Sequence, residues 1–452
     1  VATEVVILAA GQGTRMRSKL PKVLHPVAGK PMVGHVIDSA KQIGATAIHV
    51  VVGHGAEQVK QHFSDTSIQW VLQAEQLGTG HAVAQALPAI NDDSVVLIAY
   101  GDVPLVAVET LQALVTAVDT STLSLLTVKL TDPTGYGRIV REQGAITAIV
   151  EQKDANAEQL KICEVNTGIL AVTANKLKQW LPQLSAENAQ GEYYLTDIIA
   201  MAVQDDMQVL AQHPQTTMEV EGANNRLQVA ALERFYQHQQ AQRLMTEGAT
   251  LADPARIDVR GQLSIGQDIY IDVNCIFIGD VNIADDVVIG PNCVIENSSI
   301  GRGTVIKANS VLENAQLGEN CDVGPFARLR PGTVLANKAK IGNFVETKKA
   351  IIGEGSKVNH LSYIGDSEIG VGSNVGAGTI TCNYDGVNKS KTIIGDGAFI
   401  GSNSSLVAPV HIGNNATVGA GSTITGDIGD EQLSVARGKQ KNLDGWKRPS
   451  KK

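Results

Sequence analysis

The chain has 452 residues, which suits two or three domains at roughly 150 residues each and a sizeable core. Its 37 Lys and Arg face 46 Asp and Glu, a net charge of -9, which argues against nucleic acid as the main partner. No apolar run approaches the roughly 18 residues of a membrane span. Aromatic residues are scarce at 4% and Gly is abundant at 45, a balance that suits a solenoid with tight corners. Cys163, Cys275, Cys293, Cys321 and Cys382 form no CxxC pair, so packing explains them better than disulfides or zinc, and a reducing cytoplasm is the expected setting. The chain begins at Val, as expected of a processed or truncated start, and the apolar run Val5 to Ala10 is too short and wrongly flanked for a signal peptide.

In residues 1–225, short apolar runs at Val5–Leu8, Ala47–Val52, Ile68–Leu72, Val95–Tyr100 and Leu123–Val128 alternate with helix-like segments such as Val33–Gln42 and Val108–Val118. That alternation predicts a Rossmann-like, mostly parallel sheet with helices on both faces, and ligands bind beyond the carboxyl ends of such strands. The first strand runs into Ala9-Ala10-Gly11-Gln12-Gly13-Thr14-Arg15-Met16. Met16 breaks the dinucleotide fingerprint, and Gly29-Lys30 is followed by Pro31, so no Walker loop is present. What remains is a Gly-rich turn with Arg15 and Lys22, where backbone N–H groups and two cations could meet a polyphosphate. An ordinary βα turn with solvated basic residues would look the same. Asp102, at the tip of the strand ending at Tyr100, could hold a hard cation or cap a helix.

Residues 226–250 read as a linker helix. Arg226 to Glu247 has neither Pro nor Gly, places Leu227, Ala231, Arg234 and Phe235 together at helical spacing, and is followed by Gly248. Its Gln-rich face is expected to be solvated.

From Ile265 to Ile424 a branched apolar residue returns at every sixth position for most of the length, beginning Ile265, Ile271, Phe277, Ile283, Ile289, Ile295. Such a period fits neither a helix nor a two-sided strand. It describes short sides joined by corners, three sides to a coil, and predicts a parallel β-helix over residues 251–452. Between Thr381 and Ile394 the step grows to thirteen, so a loop reading Cys382-Asn383-Tyr384-Asp385-Gly386 leaves the prism. Such excursions carry function more often than not. His360 lies two residues beyond the rung Val358, and Arg328, Arg330, Lys348, Lys349 and Lys357 supply nearby positive charge suited to a phosphorylated substrate. Arg437 opens a basic tail with Lys439, Lys441, Lys447, Arg448, Lys451 and Lys452, which a mobile solvated end would also explain.

The segments LAAGQGTRM, LPK, QAEQLGTGHA, YGDVPL, GYGRI, VEQKDA, VNTGI and EGANNR resemble those of the sugar-nucleotide pyrophosphorylases. With the hexapeptide repeat behind them, the whole chain resembles the family of bacterial bifunctional N-acetylglucosamine-1-phosphate uridyltransferase/glucosamine-1-phosphate acetyltransferases. The resemblance implies an α/β nucleotidyltransferase domain, a left-handed parallel β-helix and synthesis of UDP-N-acetylglucosamine, a precursor of peptidoglycan and lipopolysaccharide. Leu8, Ala9, Ala10 and Gly11 would line the nucleotide, with Arg15 and Lys22 on the phosphates of UTP. Gln73, Gly78 and Thr79 would read uracil, and Tyr100, Gly101 and Asp102 would meet the ribose and metal. Gly137, Glu151 and Asn166 would hold the sugar, while Asp102 and Asn224 would hold Mg2+. In the repeat, His360 would be the general base, oriented by Glu346. Arg330, Lys348, Tyr363 and Asn374 would bind glucosamine 1-phosphate. Ala377, Asn383, Tyr384, Ser402, Ala420 and Arg437 would bind acetyl-CoA at the seams of a cytoplasmic homotrimer. Two other classes stay open: a nucleotidyltransferase whose repeat is a non-catalytic assembly module, and a purely structural solenoid.

Overall fold

The computed structural model describes residues 2–450, so Lys451 and Lys452 of the basic tail lie outside the described residues. Two compact units divide between Tyr236 and Gln237.

In the first unit a nine-stranded sheet contains β1 (Thr3–Ala9), β4 (Ala47–Val52), β5 (Ile68–Leu72), β6 (Val95–Tyr100), β7 (Thr122–Lys129), β8 (Arg138–Glu142), β9 (Ala145–Val150), β10 (Glu164–Thr173) and β11 (Gln208–Gln212). A separate hairpin joins β2 (Pro26–Val27) to β3 (Lys30–Pro31). The order is β11-β7-β10-β6-β1-β4-β5, with β8 attached to β10 and β9 to β8. All pairs along that path are parallel except those of β10 with β6 and β7. The expected strands are therefore present, and their continuous apolar runs have the expected cause: both faces are covered. Val5 and Ile7 pack on one side with α1 (Met32–Gln42) and α4 (Val108–Thr116). Val6 and Leu8 pack on the other with α3 (Thr79–Ala86), α5 (Ala174–Trp180) and α6 (Ile198–Gln204). A further short helix, α2, covers Ala56–Gln61.

At the amino end of β1 sits a fully buried carboxylate. Glu4 accepts from His49 Nε2 at 2.8 Å, Asn91 Nδ2 at 2.9 Å and Ser94 Oγ at 2.8 Å. Burial works to raise its pKa, but these bonds together outweigh burial and hold the carboxyl below its ordinary value.

The helix α7 spans Arg226–Glu247. Its buried residues are Leu232, Gln237, Ala241 and Leu244, whereas Leu227 is exposed. The Gln-rich stripe is not wholly solvated: Gln237 Nε2 donates to Val259 O at 2.9 Å and its Oε1 accepts from Val259 N at 2.7 Å. An amide can satisfy a buried backbone pair that an apolar side chain would leave unpaired.

The second unit is a parallel β-helix. Rungs stack in register in three columns, for example Ile265, Ile283, Ile300 and Leu317. Ile271, Ile289, Ile306, Val323, Ile341 and Val358 form the second. The third begins Phe277, Ile295, Leu312, Leu329 and continues into Thr347, Ile364 and Thr381. Two positions of this column are thus occupied by buried threonines instead of apolar residues. Their hydroxyls are satisfied, Thr347 against Thr333 at 2.9 Å and Thr381 against Gly365 O at 3.1 Å. Cys275, Cys293 and Cys321 are buried among the rungs, and their thiols donate to Gly290 O, Lys307 O and Ala336 O. Burial pushes the Cys275 thiol up to about 12, far from a reactive thiolate.

Each rung is buried only by its neighbours above and below, so one defect is felt locally. Ile341→Ala is expected to cost about 2–5 kcal/mol and to lower the urea midpoint of the β-helix followed by circular dichroism. An unchanged midpoint would contradict the inward assignment.

Candidate functional site

In-register parallel strands bring their carboxyl ends to one edge. Leu8 pairs with Tyr100, Ala9 with Val52, and Val52 with Leu72, so Ala10, Gln73 and Gly101 leave the sheet side by side. A cavity of about 350 Å³ opens there, lined by Leu8, Ala9, Ala10, Gly11, Lys22, Gln73, Gly78, Thr79, Tyr100 and Asp102 from among the expected residues. It is also lined by Val23, Gln76, Ala82 and Glu192, which sequence reasoning missed. Gln76 Nε2 donates to Ala10 O at 2.6 Å and ties two lining segments together.

Charge concentrates at one end of this cavity. Lys22 Nζ lies 2.5 Å from Asp102 Oδ2 and 3.4 Å from Asn224 Oδ1, and Arg15 Nη2 donates to the same Asn224 oxygen at 3.0 Å. Asp102 and Asn224, 122 residues apart in sequence, are thus brought together, and Ala223 N donates to Asp102 O at 3.0 Å. The turn carrying Arg15 needs its glycine. Gly13 has φ 64°, and a Cβ there would stand 2.6 Å from Lys22 Cβ.

Gly137, Glu151 and Asn166 form a second group. Asn166 N donates to Gly137 O at 2.9 Å, a Cβ on Gly137 would lie 3.4 Å from Glu151 Oε1, and Thr196 Oγ1 donates to that oxygen at 3.0 Å. Burial raises the Glu151 carboxyl above its usual value, with Asp154 and Asp197 adding to the effect against the Thr196 bond. Tyr100 links the two groups. Burial, and then the charges of Asp102 and Glu151, push its phenol up, so it stays a neutral donor.

In the β-helix, one corner gathers the second set. The corner amides of Leu361, Gly378, Asn403 and Gly421 donate to the carbonyls of Asn343, His360, Ala377 and Ser402 respectively. Asn343, His360, Ala377 and Ser402 therefore stand one above another in a column, and Ala420 extends it, since Val418 follows Ile400 in register. Arg437 Nη1 donates to Ala420 O at 2.6 Å, which sets a cation at the column's end.

His360 is exposed, and its Nδ1 lies 2.8 Å from Asn343 Oδ1. Glu346, expected to orient His360, meets Arg330 in this structure, Nη1 to Oε1 at 2.7 Å, and stands in register with Tyr363 on a neighbouring side of the prism. Asn343 is the residue that sequence reasoning missed, although its register with His360 in the adjoining coil was implicit in the repeat.

Arg330 and Lys348 lie near each other, and the Lys389 ammonium beside Lys348 pushes its pKa below the ordinary lysine value, with Arg330 adding. The expected basic cluster is otherwise divided: Lys357 pairs with Lys340 and Asn374 on another side. The excursion between Cys382 and Thr392 folds back on itself. Asn383 Nδ2 bonds to Asp366, Tyr384 pairs with Lys389, and the Tyr384 hydroxyl donates to Gly386 O at 2.5 Å.

Three proteins each described as bifunctional protein GlmU align along nearly the whole chain. That of Marinobacter nauticus is 66% identical over 448 residues, 99% of both chains. That of Cellvibrio japonicus is 62% identical over 450 residues, again 99% of both, and that of Pseudoalteromonas atlantica 56% over 451 residues and 100% of both. The chain belongs to the bifunctional GlmU family. Parts of it also match family models: residues 5–156 a MobA-like NTP transferase domain, residues 259–343 a GMPPB C-terminal domain, and residues 391–426 a bacterial transferase hexapeptide of six repeats. The GlmU family assignment accounts for the order seen here, a mostly parallel nucleotidyltransferase sheet followed by a left-handed β-helix of hexapeptides.

Proposed function

We propose that the first unit transfers a uridylyl group from UTP to N-acetylglucosamine 1-phosphate, and that the β-helix first makes that substrate by moving an acetyl group from acetyl-CoA to glucosamine 1-phosphate. The reading is carried by the presence of a separately built site in each unit: paired cations beside Asp102 and Asn224 in one, and the Asn343–His360 pair at the foot of a column of small residues in the other.

In the first reaction a sugar-phosphate oxygen bonds to the α-phosphorus of UTP while the bond to the β-phosphate oxygen breaks and pyrophosphate leaves. No protein nucleophile is needed, so the chain's work is positioning and charge compensation. Lys22 and Arg15 offset phosphate charge. Gly11 and Gly13 keep side chains out of the way, and Gln73, Gly78 and Thr79 face the base. Tyr100 and Gly101 border the ribose, while Gly137, Glu151 and Asn166 hold the acetylated sugar. The oxygen donors of Asp102 and Asn224 fit Mg2+, a hard ion usually bound through one or two protein oxygens together with substrate phosphates. When bound, Mg2+ would neutralise charge on the phosphates.

In the second reaction the sugar amine attacks the thioester carbonyl, a C–N bond forms, the C–S bond breaks, and the CoA thiolate departs. The Asn343 oxygen can only accept, so His360 keeps its proton on Nδ1 and presents the Nε2 lone pair to take the amine proton. Arg330, Lys348 and Lys389 supply positive charge for the sugar phosphate, with Tyr363 and Asn374 on the sugar. Ala377, Ser402 and Ala420 leave room along the column for a thin CoA arm. Asn383 and Tyr384 would close over it, and Arg437 would meet a CoA phosphate.

An apolar strip beside this column supports self-association. Phe326, Phe344 and Leu361 are 49%, 54% and 63% exposed and occupy left-handed corners (φ 55°, 56° and 49°) of the kind filled elsewhere by Asn292, Asn309 and Asn403. Bulky residues at so unfavourable a φ, with Phe326 and Phe344 stacked at 5.2 Å, suit burial against another copy. We assign that copy to a homotrimer with acetyl-CoA sites at its seams. Among the described residues no helix is long and apolar enough to cross a membrane, and the family's substrates suit the cytoplasm.

Two tests follow. His360→Ala should lower acetyl transfer by at least about 100-fold while UTP-dependent pyrophosphate release persists, and Asp102→Ala should do the converse. An unaltered acetylation rate in His360→Ala would favour a non-catalytic assembly module. Phe344→Asn, which suits the left-handed backbone, should shift the mass measured by light scattering at micromolar concentration from trimer towards monomer, and an unchanged trimer would remove the strip from the interface.

A further inference from the structure

Against Gln73, which lines the first cavity, stands a histidine that the roles above leave unused. His81, in the first turn of α3, is half-buried, and both of its ring nitrogens meet glutamine amides. Nδ1 lies 3.1 Å from Gln73 Nε2, and Nε2 lies 3.1 Å from Gln85 Nε2. A neutral imidazole has one N–H and one lone pair. The two amides therefore cannot both turn their NH2 groups to it, and one must present its oxygen.

Gln73 decides which. The same Nε2 is 3.2 Å from the Gly78 carbonyl, which can only accept, and Gln73 is 4% exposed. Reversing that amide would set two oxygens against each other where little water can relieve them, a costly arrangement. Gln85 is more open, and among the described residues its one other side-chain hydrogen bond is a 3.4 Å approach to His81 O. It is the amide that yields. His81 is then the Nε2–H tautomer: Nδ1 accepts from Gln73, and Nε2–H donates to the Gln85 oxygen.

This arrangement limits what Gln73 can offer a ligand. Both of its N–H bonds are consumed, one by Gly78 and one by His81, so its only free hydrogen-bonding capacity is the oxygen. An oxygen acceptor matches the N3–H donor of an imide base such as uracil. Cytosine carries a lone pair at N3, and two acceptors would face each other there. We infer that His81, backed by Gln85, is a positioning residue that sets nucleobase selectivity by locking the Gln73 amide with its oxygen available to the base. The inference rests on the uridylyl-transfer reading, in which Gln73 meets the base, and extends it to a residue that touches no substrate.

The test uses the full chain with N-acetylglucosamine 1-phosphate and magnesium, and measures pyrophosphate release from UTP and from CTP. His81→Leu removes the acceptor. Its kcat/KM for UTP should fall about fivefold, the worth of one ordinary hydrogen bond, through KM rather than kcat, and its UTP:CTP preference should narrow. His81→Asn, whose Oδ1 can accept in place of Nδ1, should recover most of that preference. A merely structural role would lower both nucleotides together and show no such rescue. If His81→Leu releases no pyrophosphate from either nucleotide, Gln85→Leu is read instead and must narrow the same ratio. An unchanged UTP:CTP ratio in His81→Leu, with UTP turnover intact in the parent chain, would overturn the role of His81 alone. Absence of UTP turnover in the parent chain would overturn the uridylyl reading itself.

Discussion

Parallel pairing carries residues of equal register to the same level, and both sites depend on that constraint. In the first unit it aligns the carboxyl ends of β1, β4, β5 and β6, so that loops far apart in sequence converge on one cavity. In the second it turns a repeat along the chain into a column across it, with Asn343, His360, Ala377 and Ser402 stacked at adjoining corners. A shift of one residue in either ladder would turn every side chain of the shifted strand to the opposite face. The buried Glu4 network at the far end of β1 and the threonine hydroxyls at Thr347 and Thr381 help to hold register by satisfying polar groups inside otherwise apolar ladders.

On these frames the chemistry is placed with few groups. Lys22 is shared between Asp102 and Asn224, and Arg15 donates to the same Asn224, which together draw the Gly-rich turn, the segment after the tip of β6 and the segment before α7 into one charged cluster. The β-helix uses a comparable economy. Asn343 fixes one ring nitrogen of His360, while Glu346 is engaged with Arg330, so in the proposed reading orientation of the base and charge balance at the sugar phosphate fall to different residues. Lys348 and Lys389 repel each other, and in the proposed reading a sugar phosphate would relieve that repulsion.

Most of this architecture was legible in the chain because its signals are periodic. The apolar runs of the first sheet and the six-residue ladder follow from burial, and burial depends only on side-chain type and spacing. Residues chosen by pairing across the fold were less visible. Gln76, Asn343 and Lys389 carry no local mark, since each acts through a partner supplied by another segment: Ala10 O, His360 and Lys348. Gln237 reads as a solvated helix residue until the backbone of Val259 arrives beside it. Thr347 leaves no mark in an apolar ladder because hydropathy does not register a hydroxyl that bonds to another buried one, here Thr333. The contact of Glu346 with Arg330 instead of His360 was hidden for a related reason: closeness in sequence to a strand corner does not say which side of a three-sided prism a residue faces.

In the proposed reading each unit completes its own reaction and passes a free intermediate to the other. Mixing separately purified Asp102→Ala and His360→Ala chains with glucosamine 1-phosphate, acetyl-CoA, UTP and magnesium tests it directly, with UDP-N-acetylglucosamine followed over time. Neither chain alone should form the product, and the mixture should form it after a lag while N-acetylglucosamine 1-phosphate accumulates. Substantial product from either variant alone, or none from the mixture while each retains its own half-reaction, would contradict the account.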